Sequence, residues 1–508
     1  MNKLKRATLP VLIATLTVGA VGCSNGKSAT PAPQSDPNEV VNILFLTPGA
    51  VKADAMKPDN RIIAEIEKRL KIKLKVQTVL ENNFEKINVA MASGDLPDVV
   101  TINYPSTSVN QWIDQGLIVP LNDYLPSLPT LKNRLEGRYS WTAVDGKFYG
   151  YPFIEEQSNV TMTYRADWLE ALGLKPPQTL DEFYEVLKAF KTQDPNRTGK
   201  NDAYGFTAQK TAGYNTSFNF VHFAYGLPHG DWVLDEKGKP APIFEHPAFK
   251  QGLTYLRKLW DEKLIDPEFL LNDTQKREEK YYQGKAGVMG APLFRNLNRL
   301  ETNLQKVNPQ GKLGFAAPPA GPNGKRGMNI APKSGLFTAV TKHAANPKRA
   351  AEFIEFMLSS EGRSLLELGI EGIHYTKDGD KIVYNEEERA KDAFDPNGWS
   401  HPLAWGSVVY PLTENYLPQA EPQIVRARES VKIATENIVP NLTNNTTNEE
   451  VELGGVLNEL FNQYYIDILI GKREIDAGLA ELSKKWREQG GEKVLAAVAK
   501  EYEAQKKK

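Results

Sequence analysis

Residues 163–206 read TYRADWLEALGLKPPQTLDEFYEVLKAFKTQDPNRTGKNDAYGF: two helical patterns, a proline break between them and a polar loop behind. Trp168, Leu169 and Leu172 fall on one helical face, and Gly173 stands where a left-handed C-cap belongs. Pro176 and Pro177 forbid continuation, because proline has no N–H to donate. Thr179-Leu180-Asp181-Glu182 is a capping-box pattern, in which the hydroxyl takes a free helix N–H and Glu182 reaches back to the Thr179 N–H. Leu180, Phe183, Leu187 and Phe190 then form one apolar face. In the loop, Asp194, Asn196, Thr198, Lys200 and Asp202 alternate, with Gly199 at the sharp turn. That is calcium-loop spacing, in which side-chain or carbonyl oxygens from positions 1, 3, 5, 7 and 9 converge on one hard cation. The twelfth position, where a bidentate carboxylate completes such loops, is Gly205. A solvated Asn/Gly turn without metal is the other reading.

The segments TYRADWLEALGL, PPQTLDEF and DPNRTGKNDAYGF resemble the family-1 extracellular solute-binding lipoproteins of bacterial ABC importers. The similarity is to the branch with the alginate-oligosaccharide binders and the large lipoproteins of Gram-positive bacilli. In its calcium-bearing members the ligands match Asp194, Asn196, Thr198, Asp202 and the carbonyl of Lys200, with an acidic residue where this chain has Ala203. Both acidic closing positions therefore differ here. The turn ASGDLPDVV at 92–100, the segments 117–121 and 145–152, and the run EGIHY at 371–375 extend the resemblance along the chain.

Composition bounds the function. The chain has 508 residues, room for two to three domains. Lys and Arg number 62 against 63 Asp and Glu, without a basic stripe, so nucleic acid is not an expected partner. Cys23 is the single cysteine, which excludes an internal disulfide. A basic start (MNKLKR), an apolar run from Ala7 to Ala20 and the small residues before Cys23 read as a signal peptide over 1–22 ending in a lipobox. The alternative is an ordinary signal peptide with a chance cysteine. Removing 1–22 takes away Lys3, Lys5 and Arg6 and leaves 59 basic against 63 acidic residues. That balance suits a neutral or locally recognised small ligand. Residues 23–38 are the lipidated cysteine and a Ser/Pro/Ala tether with nothing to bury.

From Val40 the pattern is β-α-β-α-β: a buried strand at 40–46, a helix capped by Asn60, an alternating strand from Ile72 to Val76, a helix marked by Phe84, Ile87 and Met91, and a strand at 98–104. Ligands in such sheets sit beyond the C-terminal strand ends, which places Asn103-Tyr104-Pro105-Ser106 at a cleft. Asp95 and Asp98 read as turn chemistry in preference to catalytic carboxylates. Asp145-Gly146 and Asp378-Gly379 mark hairpins, Trp232–Lys239 a further one, and Asn346-Pro347 a helix start. The expected fold class is α/β: two parallel-sheet lobes of the periplasmic-binding-protein type, with a ligand cleft and hinge crossovers near residues 155, 285 and 335. The resemblance implies an N-terminal lobe from 39–155 plus 285–335 and a C-terminal lobe from 156–284 plus 336–508.

The expected role is capture of an oligosaccharide between the lobes and delivery to ABC transporter membrane subunits, by a monomer anchored to the extracellular face of the membrane through Cys23. Sugar rings need aromatic planes and polar groups together. Trp399 and Trp405 lie in a Gly/Pro-punctuated stretch, and Tyr104, Glu155, Trp232 and Phe294 complete the candidate ligand-binding set. Calcium is the one cofactor in question, and no organic cofactor is expected. A carbohydrate-cleaving enzyme would need a carboxylate pair, and adjacent Glu155 and Glu156 point to opposite faces of a strand. HExxH and GxSxG are absent. A sensor-side binding protein for a non-sugar ligand is the remaining alternative.

Overall fold

Val41–Pro48 (β1) alternates over its first half, with Asn42 exposed between buried Val41 and Ile43, and is buried throughout from Phe45 to Pro48, where side chains on both faces pack into a core. The computed structural model describes residues 39–506 except 49–56, 58, 80–83, 95, 138, 154–159, 210–216, 293–299, 331–334, 380, 395–400, 407–425, 427, 428, 431, 435, 444 and 445. Cys23, Glu155, Phe294 and Trp399 lie outside the described residues. Residues 40–508 form one unit. Within it two mixed sheets are built by β1, Ile72–Val79 (β2), Val99–Tyr104 (β3), Tyr151–Phe153 (β4), Val160–Arg165 (β5), Tyr204–Phe206 (β6), Ala286–Pro292 (β9), Leu313–Ala316 (β10) and Gly335–Val340 (β12). Trp232–Leu234 (β7) with Pro240–Pro242 (β8), Asn329–Ile330 (β11) with Ile438–Val439 (β15), and Tyr375–Asp378 (β13) with Lys381–Tyr384 (β14) form small two-stranded pairs.

The first sheet runs β2-β1-β3-β12-β4, with β1 parallel to β2 and β3, and β12 antiparallel to β3 and β4. Asn60 caps the helix Arg61–Leu70 by accepting from the N–H groups of Ile62 and Ile63. That helix drives Ile62, Ile63 and Ile66 into the core under the sheet. Asp98 is structural, as a turn residue should be. Its Oδ2 accepts from Leu44 N at 2.8 Å and its Oδ1 from Ala345 N at 3.2 Å, which ties the start of β3 to β1 and to the chain after β12. The same core takes in Phe353, Ile354, Leu366, Phe394 and Leu403.

The second sheet runs β10-β5-β9-β6, with β5 antiparallel to β9 and β10 and β6 parallel to β9. The helix Leu180–Thr192 lies on it, its capping box formed as read from the sequence. Close approach is set by glycine. A Cβ on Gly205 would sit 2.6 Å from Leu187 Cβ, and one on Gly287 2.1 Å from Phe190. Helices Pro247–Asp261, Asn448–Leu469, Ile475–Trp486 and Glu492–Gln505 close this core around Phe249, Phe461, Tyr465 and Trp486.

Sheet membership corrects the expected boundaries. Segment 285–335 was expected in the N-terminal lobe, yet β9 and β10 hydrogen bond to β5 in the second sheet. Segment 336–404 was expected in the C-terminal lobe, yet β12 pairs with β3 and β4, and Phe353 to Leu403 pack beneath the first sheet. The crossover placed near 285 is absent: the chain enters the second sheet between β4 and β5, leaves it between β11 and β12, and returns between Leu403 and β15. Two of the small residues of 284–292 serve close packing, Gly287 against Phe190 and Gly290 against Met328.

Candidate functional site

The C-terminal end of β3 opens onto a cavity of about 460 Å³ whose other wall belongs to the second sheet's layer of helices. Strand alternation decides which residues face it. Asn103 and Pro105 line the cavity, whereas Tyr104, between them, points the other way. Its ring stacks on Phe337 of β12 at 5.3 Å, and burial pushes its phenol up to about 12. Of the four residues expected at the cleft, Asn103 and Pro105 line this cavity. Ser106 next caps the helix Thr107–Asp114 by accepting from Ser108 N at 3.2 Å.

The opposite wall is built by 229–232 leading into β7, by Asn441 beside β15, and by the first turns of Asn448–Leu469. His229 N donates to Pro440 O at 3.1 Å and locks these strands together. Trp232 lies in the wall, 4% exposed, its indole Nε1 donating to Glu450 Oε1 at 2.7 Å. The second oxygen, Oε2, accepts from Thr447 N at 2.7 Å, and Thr447 Oγ1 accepts from Glu450 N at 3.2 Å. One glutamate thus closes a capping box and fixes the tryptophan. Trp486 supports the indole edge-on at 6.0 Å, and Phe244 and Phe461 form the apolar floor. The sequence pattern is helical from Val451 onward, and the helix starts three residues earlier, at Asn448, because the capping box TNEE from Thr447 to Glu450 opens it. The two layers touch at the rim, where Asn110 Nδ2 donates to Asn448 Oδ1 at 3.1 Å. Trp405 is in the helical turn Leu403–Gly406, and its side chain lies outside the described residues.

The oxygen-rich loop lies at the start of β9, away from this cavity's lining. Asp194, Arg197 and Asn201 adopt positive φ, with Gly199 at 74°. Thr198 Oγ1 lies 3.3 Å from Asp194 Oδ1, 3.4 Å from Asn196 Oδ1 and 3.1 Å from Asp202 Oδ1. A hydroxyl has one proton, so it can donate to one of these three oxygens at a time. Asn196 Nδ2 also donates to Gly284 O at 3.0 Å, and Lys285 Nζ to Asp202 Oδ2 at 2.5 Å. The lysine ammonium holds the Asp202 carboxyl down at about 2. A Cβ at Gly205, the twelfth position, would press against Leu187, and Ala203 is buried in the core. Among the described residues no group of three or more His, Cys, Asp and Glu side chains is placed to hold a metal.

Three likenesses bear on the whole. The chain is 26% identical over 500 residues to Lipoprotein LipO of Bacillus subtilis, covering 96% of each chain. It is 28% identical over 509 residues to the polygalacturonan/rhamnogalacturonan-binding protein YtcQ of the same organism, covering 98% of each. Among solved structures, the EF-hand mutant of the substrate-binding protein FusA of Streptococcus pneumoniae, in complex with fructo-nystose, superposes with a TM-score of 0.70 at 20% identity. That match spans 92% of this chain and 99% of FusA, and establishes the two-lobed α/β fold. The family model for bacterial extracellular solute-binding proteins matches residues 49–364, and the chain belongs to that family.

Proposed function

We propose that this chain captures an oligosaccharide in the cleft between its two sheets and delivers it to the membrane subunits of an ABC importer. The observation that carries the reading is the wall of that cleft. Its lining sets the buried Trp232 indole and an apolar floor beside the polar side chains of Asn103, Asp231, Asn441 and Asn458, the combination of apolar and hydrogen-bonding groups that a sugar needs. The names of YtcQ and FusA, both carbohydrate binders, support the same class. Binding without turnover is favoured by the chemistry of the cleft carboxylates. Glu450 is committed to Trp232 and Thr447 through both oxygens, and among the described lining residues Asp231 is the one other carboxylate. Ligand bridging the two layers favours the closed state that membrane subunits recognise. Cys23 anchors the monomer by lipid at the extracellular face of the membrane.

The test is a thermal-shift screen of the purified chain against plant and microbial oligosaccharides, with chromatography of the sugar afterwards. At 100 times the dissociation constant a ligand adds about 2.7 kcal/mol. A shift with intact sugar supports capture, a shift with cleaved sugar supports an enzyme, and no shift across the panel rejects the carbohydrate class. Replacing Cys23 with alanine releases the protein into the medium if the anchor is real.

The oxygen-rich loop is proposed to hold calcium through Asp194, Asn196, Thr198, Asp202 and the carbonyl of Lys200, where the ion would fasten the end of Leu180–Thr192 to β9. Two carboxylates, one shared with Lys285, make a weak site, with a dissociation constant of about 10⁻⁴–10⁻³ M. Millimolar calcium should raise the melting temperature of the native chain and leave Asp194→Ala unmoved. Equal melting with calcium and with chelator would reject the site.

A further inference from the structure

The helix Asn448–Leu469 presents Glu450, Gly454 and Asn458 to the cavity. They are four residues apart and so stand in one row along the helix face. The row has a gap at its middle. After proline, glycine is the residue a helix interior accommodates least well, because it brings no side chain and loses the most backbone freedom on folding. Close packing explains the other described glycines inside helices of eight residues or more. A Cβ on Gly252 would sit 2.6 Å from the His222 ring, one on Gly362 1.9 Å from Phe356 O, and one on Gly478 2.8 Å from Ile468. Gly454 meets no such contact. Among the described residues a Cβ there would approach only Asn458 Nδ2, at an ordinary 3.9 Å. Its neighbour Gly455 also has open space around it, but it is exposed and lies outside the cavity lining.

We propose that Gly454 is a specificity-determining residue of the cleft: one ring of the bound oligosaccharide seats on the bare helix backbone there, between Glu450 and Asn458. The proposal rests on the oligosaccharide reading above and deepens it by naming the point of closest approach. From Glu450 to Asn458 the helix advances about 12 Å, room for one sugar ring. Glu450 is a fixed edge of this notch, held by the Trp232 indole at 2.7 Å and the Thr447 amide at 2.7 Å. The Asn458 amide is the other edge and can both donate to and accept from ring hydroxyls. A methyl group at 454 takes the volume the ring needs, and neither the helix backbone nor the ring can swing aside.

The experiment titrates the full chain, in mild detergent, by calorimetry with fructo-, gluco-, galacto- and manno-oligosaccharides and oligogalacturonates of three to five units. The tightest of these is then titrated into Gly454→Ala, Gly454→Leu, Gly455→Ala and Gly455→Leu. The expected result is binding at least about tenfold weaker in Gly454→Ala, none measurable in Gly454→Leu, and changes within about twofold in both Gly455 variants. Without ligand, Gly454→Ala should melt at or above the parent's temperature, because alanine suits a helix interior better. Parent-like affinity in Gly454→Ala overturns the seat and leaves the oligosaccharide reading intact. Equal losses at 454 and 455 also overturn it, since they would trace to bending of the helix at its paired glycines. A lower melting temperature in Gly454→Ala would show that packing requires this glycine, and overturns it too. A parent chain that binds none of the sugars overturns the oligosaccharide reading and this inference with it.

Discussion

Trp232 serves the core and the cleft with one side chain, and its two roles separate by substitution. Trp232→Phe keeps an aromatic surface but leaves Glu450 Oε1 without its donor, so unfolding free energy should fall by about 1–3 kcal/mol in urea titrations. Trp232→Ala removes the ring and should abolish measurable ligand binding as well. Asn103 and Tyr104 give the converse comparison. Asn103→Ala should weaken ligand binding several-fold, because Asn103 faces the cavity, and Tyr104→Phe should change it less than twofold, because the ring lies against Phe337. Equal effects at both positions would contradict the strand facing described here. The distinction was open to sequence reading in principle, since alternation puts 103 and 105 together.

Among the elements, the helix Leu180–Thr192 and the strand β6 meet through Gly205. The atoms a Cβ would strike include the Leu187 backbone at 2.8 and 2.9 Å, which cannot swing away. Gly205→Ala should therefore cost about 1–3 kcal/mol, read as a lower urea midpoint. A neutral result would mean that helix and strand sit further apart. A second element-scale contact joins Asn110 on Thr107–Asp114 to Asn448 on Asn448–Leu469 across the cleft rim. This exposed bond is worth roughly 0.5–1.5 kcal/mol. If it belongs to the closed form alone, Asn110→Ala should weaken ligand about two- to tenfold with the melting temperature of the free protein nearly unchanged. Unchanged affinity would remove the pair from closure.

For the molecule as a whole, three buried histidines set the response to acid. Burial drives His222 and His401 down to about 3, and His374 is lowered by burial as well. His374 also accepts from Ile370 N at Nδ1 while its Nε2 meets Asp392, so a second ring proton would face an N–H. In the unfolded chain these imidazoles titrate near 6.5. As pH falls below that value the unfolded state takes up protons that the folded state refuses, so stability drops. The slope approaches roughly 1.4 kcal/mol per pH unit for each histidine until its folded value is reached. Urea midpoints should be level from pH 8 to 7 and decline steadily from pH 6 to 4; a flat profile to pH 4 would show that these rings are protonated in the fold. The sequence by itself determined the local structure: the capping boxes, the DG hairpins, the asparagine and proline helix starts, the β-α-β-α-β opening and the calcium-type spacing. Each depends on residues a few positions apart, where backbone sterics and periodic burial act directly. Tertiary structure decided which sheet receives β9, β10 and β12, that Asn103 and Pro105 meet Trp232 and Glu450 across a cavity, and that Gly205 is a packing contact. Those outcomes depend on pairing between strands more than a hundred residues apart, and many strands share the apolar pattern that makes such pairing possible.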